Sequence, residues 1–379
     1  MSTSRPTFAQ IDLDALSFNF HSIKNFVGEG VKVMAVVKAD AYGHGALECS
    51  RRLETEGVDW LAVALVEEAI ELRNAGSKAP ILCFGSFWPG QESELIENEI
   101  TPVIFDLERA NILNSAAKAS GRMVDVHIKI DTGMGRVGVP YRELSEWSDS
   151  FLQFKNLNVS GLMTHFASAD DLHNEMTNSQ MRLFAEAVSV FHERGFRPTI
   201  LDMANSPGAV AFKDSRASLV RIGGILYGLG DDVLPKEVDK PELKPVMSLS
   251  TKISLLKSIN KGDSIGYGQT FIAARDSIIG TLPIGYNDGV PRVLSNKGEA
   301  IVSGQIAPIV GRVSMDWTTI DVTEVDGVKA GDKVIIIGRS DSNQVTAESI
   351  AAKCDTISYE ITCGIGKRVP RVYVPNNTK

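Results

Sequence analysis

Val31-Lys-Val-Met-Ala-Val-Val-Lys-Ala-Asp-Ala-Tyr-Gly-His-Gly45 joins a mostly β-branched run to a lysine and a glycine-flanked turn. The run predicts a buried strand over 31–37, since branched side chains pack well on a pleated surface and the stretch is too short for a helix. Gly43 and Gly45 permit a tight turn and close backbone approach, and Ala46 to Thr55 then takes helical periodicity. The same unit recurs downstream: Trp60 to Ala64 precedes an amphipathic Val66 to Ala75, and Pro80–Phe84, Pro102–Phe105, Val124–Ile130, Val159–Thr164, Thr199–Met203 and Ser218–Arg221 supply further strands. Parallel neighbours need crossover connections, nearly always of one hand. Eight strands separated by helical segments therefore predict an α/β protein built on a closed (β/α)8, TIM-like barrel.

After Gly228 the texture changes. Asp231 to Pro245 is polar and broken by prolines, which places a boundary near residue 240, with 1–240 as the barrel and 241–379 as a second, mainly-β domain. Its expected strands are Leu249–Leu256, Ser277–Leu282, Ala300–Val310, Thr318–Val322 and Lys333–Ile337, and only Thr346–Lys353 reads as helical. An N-terminal strand near 5–11, Thr7 to Ile11, is expected to join that second domain before Asp12 or Asp14 caps the first helix.

Length and composition narrow the function. A chain of 379 residues exceeds one ordinary core, and 23% charged with 43% apolar residues is a globular balance. The net charge of -8 offers no clustered cations to nucleic acid or anionic lipid. Cys49, Cys83, Cys354 and Cys363 form no CxxC pair and fall in segments that read as buried, so neither a metal site nor a disulfide framework is expected. The N-terminus lacks an apolar signal core and no stretch has spanning length, which points to a cytoplasmic enzyme of small molecules.

In a parallel barrel, catalytic groups belong at the carboxyl ends of the strands. Lys38 ends the first strand, Lys129 and Asp131 the fifth, His165 the sixth and Arg221 the eighth, while Asn205 and Ser206 follow the seventh. A lysine after Val-Met-Ala-Val-Val is partly desolvated, which lowers its pKa and supplies the neutral amine that attacks an aldehyde. The Tyr42 hydroxyl is a candidate phosphate donor. Gly223-Gly224 offers backbone N–H groups to an anion, as loops after strands seven and eight of barrels often do. Taken singly, each feature has a plainer reading: Lys38 as a solvated tip, the glycine pair as a turn, Ser206 before Pro207 as a helix N-cap.

Together these residues resemble the alanine racemase family. The likeness rests on Ala35-Val-Val-Lys-Ala-Asp-Ala-Tyr-Gly-His-Gly, His127-Ile-Lys-Ile-Asp-Thr-Gly-Met-Gly-Arg, Gly161-Leu-Met-Thr-His, Ala204-Asn-Ser, Arg221 to Gly228, Gly266-Tyr-Gly, Leu282-Pro-Ile-Gly-Tyr, Gly311-Arg-Val-Ser-Met-Asp and Tyr359-Glu-Ile-Thr-Cys, in family order. The resemblance implies a pyridoxal 5'-phosphate enzyme of fold-type III and a homodimer whose shared active sites are closed by the partner's second domain. It places the cofactor on Lys38, its phosphate among Tyr42, Ser206, Gly223, Gly224 and Tyr359, with Asn205 alongside, and its pyridine nitrogen on Arg221 with His165 behind. Arg136 is expected on the phenolic oxygen and substrate carboxylate, and the Met315 backbone on that carboxylate too. Tyr286 narrows the entrance, and Lys129 matches a position that many members carbamylate; its alternative is an ordinary ion pair with Asp131. Asn287 stands where the family commonly has alanine and Ser314 where many members have cysteine, which bears on entrance shape.

Racemisation needs a proton removed from one face of the α-carbon and returned to the other, so two opposed acid/base groups are expected. The resemblance assigns Lys38 to D-alanine and Tyr267 to L-alanine. A phenolate there requires nearby positive charge, which Arg136, Arg221 and a protonated His165 would supply. The expected role is supplying D-alanine for peptidoglycan. The alternatives are a racemase of broader or different specificity (serine, lysine) and a non-catalytic cofactor-binding protein. A related decarboxylase fits less well because that class pairs the pyridine nitrogen with a carboxylate.

Overall fold

A computed structural model describes residues 5–374. The eight strands read from the sequence form the barrel: Lys32–Val36, Trp60–Val63, Ile81–Cys83, Ile100–Ile104, Val124–Asp131, Leu157–Met163, Ile200–Asp202 and Leu219–Ile222. Each pairs in parallel with the next, and the eighth returns to the first, with Leu219 opposite Lys32 and Arg221 opposite Met34. Closure leaves the barrel without a free edge and gives its interior a core of its own, including Met34, Val36, Leu82, Met163, Ile200 and Leu219. A larger apolar cluster lies outside, between strands and helices, where Phe20, Phe151, Phe184 and Phe191 are buried.

Beyond the proline-broken segment the second region is mainly β, with two principal sheets. One runs Gln305–Pro308, Glu299–Val302, Lys333–Arg339, Met247–Lys252, Phe8–Asp12, Arg371–Val374. The N-terminal strand thus lies between Met247–Lys252, antiparallel, and Arg371–Val374, parallel. It leads into a helix at Leu13–Val27 whose N-cap is Asp12, its carboxylate accepting from Asp14 N at 3.0 Å and Ala15 N at 2.9 Å. The other sheet joins Leu255–Ile259, Ser277–Leu282 and Thr318–Asp321.

Three local expectations are corrected. The run Leu249–Leu256 is not one strand but passes from one sheet to the other at Ile253-Ser254. Ala300–Val310 is a hairpin, because Ser303 and Gly304 take φ of 49° and 81°, the doubly positive pattern whose twist matches paired strands. A second helix, Ser358–Cys363, follows Ala347–Cys354. With only six residues it offers too little periodicity to be legible.

Candidate active site

Side chains alternate along a strand, so the residue two positions past an interior apolar one faces the same way. Val36 is followed in this sense by Lys38, Met163 by His165, Ile200 by Asp202 and Leu219 by Arg221. On the fifth strand, buried His127 precedes Lys129. The polar layer rests on the apolar one and opens into a cavity of about 620 Å3, lined by Lys38, Tyr42, Lys129, Arg136, His165, Asn205, Ser206, Arg221, Gly223 and Gly224, with Tyr359 and Cys363 reaching in from the C-terminal helix.

The turn after Lys38 is left-handed. Ala39, Asp40, Ala41 and Tyr42 have φ of 53°, 53°, 52° and 55°, a conformation costing roughly 1–2 kcal/mol per L-residue. Specific contacts offset that cost. Ala39 N donates to Glu68 Oε1 at 2.7 Å, Ala46 N donates to Asp40 Oδ1 at 2.8 Å, and Gly43 N returns to Ala39 O at 3.0 Å. The other Glu68 oxygen accepts from Ala64 N and Leu65 N, tying the turn to the second strand's end. The turn sets Tyr42 beneath the cavity, and its glycines serve close packing: a Cβ on Gly43 would lie 2.1 Å from Thr362 O, and one on Gly45 1.8 Å from Tyr373 Oη.

Opposite stands the glycine pair. A Cβ on Gly223 would meet Tyr42 Oη at 2.4 Å and one on Gly224 would meet Tyr359 Cε1 at 2.0 Å. The Tyr42 and Tyr359 rings pack edge to face, 5.2 Å apart, and burial pushes both phenols up, so they remain hydroxyl donors. Ser206 is not the helix cap. Asn205 is, its side chain accepting from Gly208 N at 3.1 Å, while Ser206 Oγ accepts from Gly223 N at 3.1 Å. Serine thus bridges the loops after strands seven and eight.

Arg221 is buried and its Nη groups are committed. Nη2 donates to Thr164 O at 2.9 Å and to His165 Nδ1 at 3.1 Å, and Nη1 donates to Asp202 Oδ1. A guanidinium has no acceptor, so His165 accepts and is neutral at that nitrogen. Burial, and then Arg221, Lys129, Arg136 and Lys38, hold the imidazole down at about 2. The expected protonated His165 is therefore corrected: cations crowd it, and it contributes no positive charge.

Lys38 is lowered from the ordinary lysine range, first by burial and then by Arg136, against the opposing pull of Glu68. Lys129 falls to about 8, by burial and then by Arg221 and Arg136. Lys129 has no ion pair with Asp131 among the described residues; Asp131 instead accepts from Gly133 N at 2.9 Å and Gly135 N at 3.1 Å.

Tyr267, Tyr286 and Met315 do not line this cavity. They stand on the second region, 73%, 42% and 52% exposed, with Trp317 at 47% beside them in sequence. One chain alone therefore gathers the lysine, the arginines and the glycine cup but not the tyrosine. Sequence reasoning missed Asp202, Glu68 and Cys363. Asp202 ends the seventh strand at the same offset as the other polar residues, which was the available signal. Cys363 was read as buried, yet it is exposed on the short helix.

Fold and cavity together define a class: a (β/α)8-barrel enzyme whose mouth presents a desolvated lysine, a buried arginine and an anion cup, with the short helix Ser358–Cys363 reaching into it. The family model for the alanine racemase N-terminal domain matches residues 11–231, and that for the C-terminal domain matches residues 246–373. The chain is 43% identical to alanine racemase 2 of Caldanaerobacter subterraneus, over 98% of this chain and 95% of that one. Among solved structures, alanine racemase of Clostridium difficile superposes with a TM-score of 0.93 at 38% identity, covering 99% of this chain and 97% of that one. Alanine racemase from Bartonella henselae with covalently bound pyridoxal phosphate gives 0.88 at 29% identity, covering 97% and 99%. The chain belongs to the alanine racemase family of isomerases.

Proposed function

We propose that the chain interconverts L- and D-alanine on pyridoxal 5'-phosphate carried by Lys38, supplying D-alanine for peptidoglycan from the cytoplasm. The observation that carries the reading is the convergence of Lys38, Arg221 and the glycine cup on one cavity. The residues present fit the cofactor: a Cβ on either glycine would strike a tyrosine of the cup, and Ser206 and two neutral phenols supply the donors a phosphate needs.

Pyridoxal phosphate, when bound, supplies an aldehyde that captures an amine and a ring that acidifies the neighbouring C–H bond. The protein's share is nucleophile, orientation and proton transfer. Desolvation lowers the Lys38 amine and so favours the neutral form that acts as nucleophile and as the base on one face. Arg221 offers an N–H and no proton acceptor to the ring nitrogen, which limits the ring as an electron sink and favours prompt reprotonation over side reactions. Arg136 at the cavity takes the substrate carboxylate.

The second base comes from a second copy of the chain. Tyr267 is exposed on the β-rich region and absent from its own cavity, as are Met315 and Tyr286, so a homodimer with shared sites completes the constellation. The test is incubation of purified, cofactor-loaded protein with L-alanine in deuterium oxide. D-alanine with α-deuterium is expected, and borohydride reduction should fix the cofactor to the peptide containing Lys38. Unchanged L-alanine and an unlabelled Lys38 overturn the reading. Serine or lysine exchanging as fast as alanine transfers it to a broader racemase.

A further inference from the structure

We infer that Asp202 is a positioning residue for Arg221: it fixes the guanidinium with both Nη groups turned inward and compensates its charge, so that only Nε–H remains to meet the cofactor ring. This rests on the reading that the cavity holds pyridoxal phosphate.

Asp202 is fully buried at the end of the seventh strand, and Arg221 lies on the eighth, two residues past Leu219, the register partner of Asp202. The two form a buried ion pair through Oδ1 and Nη1. Asp202 Oδ2 has no hydrogen-bond partner among the described residues, so Arg221 is the carboxylate's sole side-chain partner. The remaining Nη contacts are Thr164 O, Met203 O at 3.2 Å, His165 Nδ1 and the Asp202 carbonyl at 3.4 Å. Nε makes no hydrogen bond among the described residues. A guanidinium has five N–H donors in a fixed fork, and fastening four of them determines where the fifth points.

The carboxylate also changes the charge. His165 is neutral, while Arg136 and Lys129 add positive charge around the same cavity. A bare Arg221 would add another cation beside the ring nitrogen; paired with Asp202 it presents a polarised N–H backed by a carboxylate. Burial pushes the Asp202 carboxyl up, while Arg221 first and Lys129 after it pull it back toward the ionised form, so the carboxylate and the guanidinium depend on each other for their charge. Asp202 touches no reacting atom. It acts through Arg221.

The experiment compares Asp202→Asn and Asp202→Glu with the natural chain, all cofactor-loaded. Asparagine keeps the shape and one acceptor but removes the charge. It should shift the visible absorption band and lower kcat by ~10-fold or more, with KM for alanine within ~2-fold, since the carboxylate acts on developing charge and not on substrate binding. Glutamate, which retains the charge, should keep the natural band. If the Asn variant folds with unchanged band and kcat and loses only melting temperature, Asp202 is structural and the inference fails. Should it not fold, nitrogen-15 NMR of the natural apo-protein decides: resolved Nη resonances of a locked Arg221 support the inference, and an averaged, rotating guanidinium overturns it. If the natural chain gains no band with pyridoxal phosphate, the functional reading has failed, while the NMR still tests the Asp202–Arg221 arrangement.

Discussion

His165 Nδ1 stands 3.1 Å from Nη2 of Arg221, and because the guanidinium only donates, the imidazole is held as an acceptor inside a ring of cations. Two other buried histidines share its reluctance to protonate: burial lowers His44 to about 4 and His127 to about 3. The unfolded chain takes these protons below about 6.5. The folded chain does not until far lower pH, so the unfolded state binds more protons and stability falls as the pH drops from 6.5. Each histidine contributes on the order of 1 kcal/mol per pH unit across that window. Denaturant melts of the apo-protein at pH 7.5 and 5.5 should show a marked loss at the lower value. Equal midpoints would mean that these rings take up protons in the fold.

Gly224→Ala places a methyl where Tyr359 Cε1 lies 2.0 Å away. The contact is with a ring locked edge to face on Tyr42, so the tyrosine must swing and the cup opens. Affinity for pyridoxal phosphate should fall ~10-fold or more, given about 1.5–3 kcal/mol per hydrogen bond to a charged group lost. Titration by absorbance measures it. Wild-type affinity would show that the cup is not the phosphate site.

Tyr267→Phe removes one hydroxyl from a side chain that is 73% exposed. Folding should be unchanged within about 0.5 kcal/mol. Racemisation should fall by roughly 10²–10⁴, the usual contribution of a positioned acid or base. The diagnostic is asymmetry: Lys38 should still exchange the α-proton of D-alanine in deuterium oxide, while L-alanine goes unlabelled. Equal loss for both enantiomers would remove Tyr267 from the role of second base.

Lys129, lowered to about 8, has ~300-fold more neutral amine at pH 7 than a free lysine. Neutral amine is the form that adds carbon dioxide, and the resulting carbamate would face Arg136 and Arg221 as a charge-assisted acceptor. Protein incubated with carbon-13 bicarbonate should give a carbamate resonance that is lost in Lys129→Ala. Its absence in the natural chain leaves Lys129 a cation and moves the orientation of Arg136 to other groups.

Much of the barrel was legible because its signals are local. Each strand is a short branched run bounded by turn residues, and the eight found by pattern are the eight that pair. The strand-end chemistry followed from the same register, since Lys38, His165 and Arg221 lie two residues past an interior apolar side chain. The β-rich region was read less well. Its strand at Met247–Lys252 abuts the next with no glycine or turn cluster between them, and Ser358–Cys363 is too short to show a period.

Sequence by itself determined the periodicities, the strand ends and the identity of the chemical groups, because those depend on each residue and its near neighbours. Only the tertiary structure decided that Lys38 leads into a left-handed turn held by Glu68, that Ser206 ties Gly223 and not its own helix, that His165 is neutral, and that Asp202 faces Arg221. Each of these arises between groups distant along the chain, where burial and the approach of a partner set conformation and charge. A string of residues carries no record of either until the barrel closes.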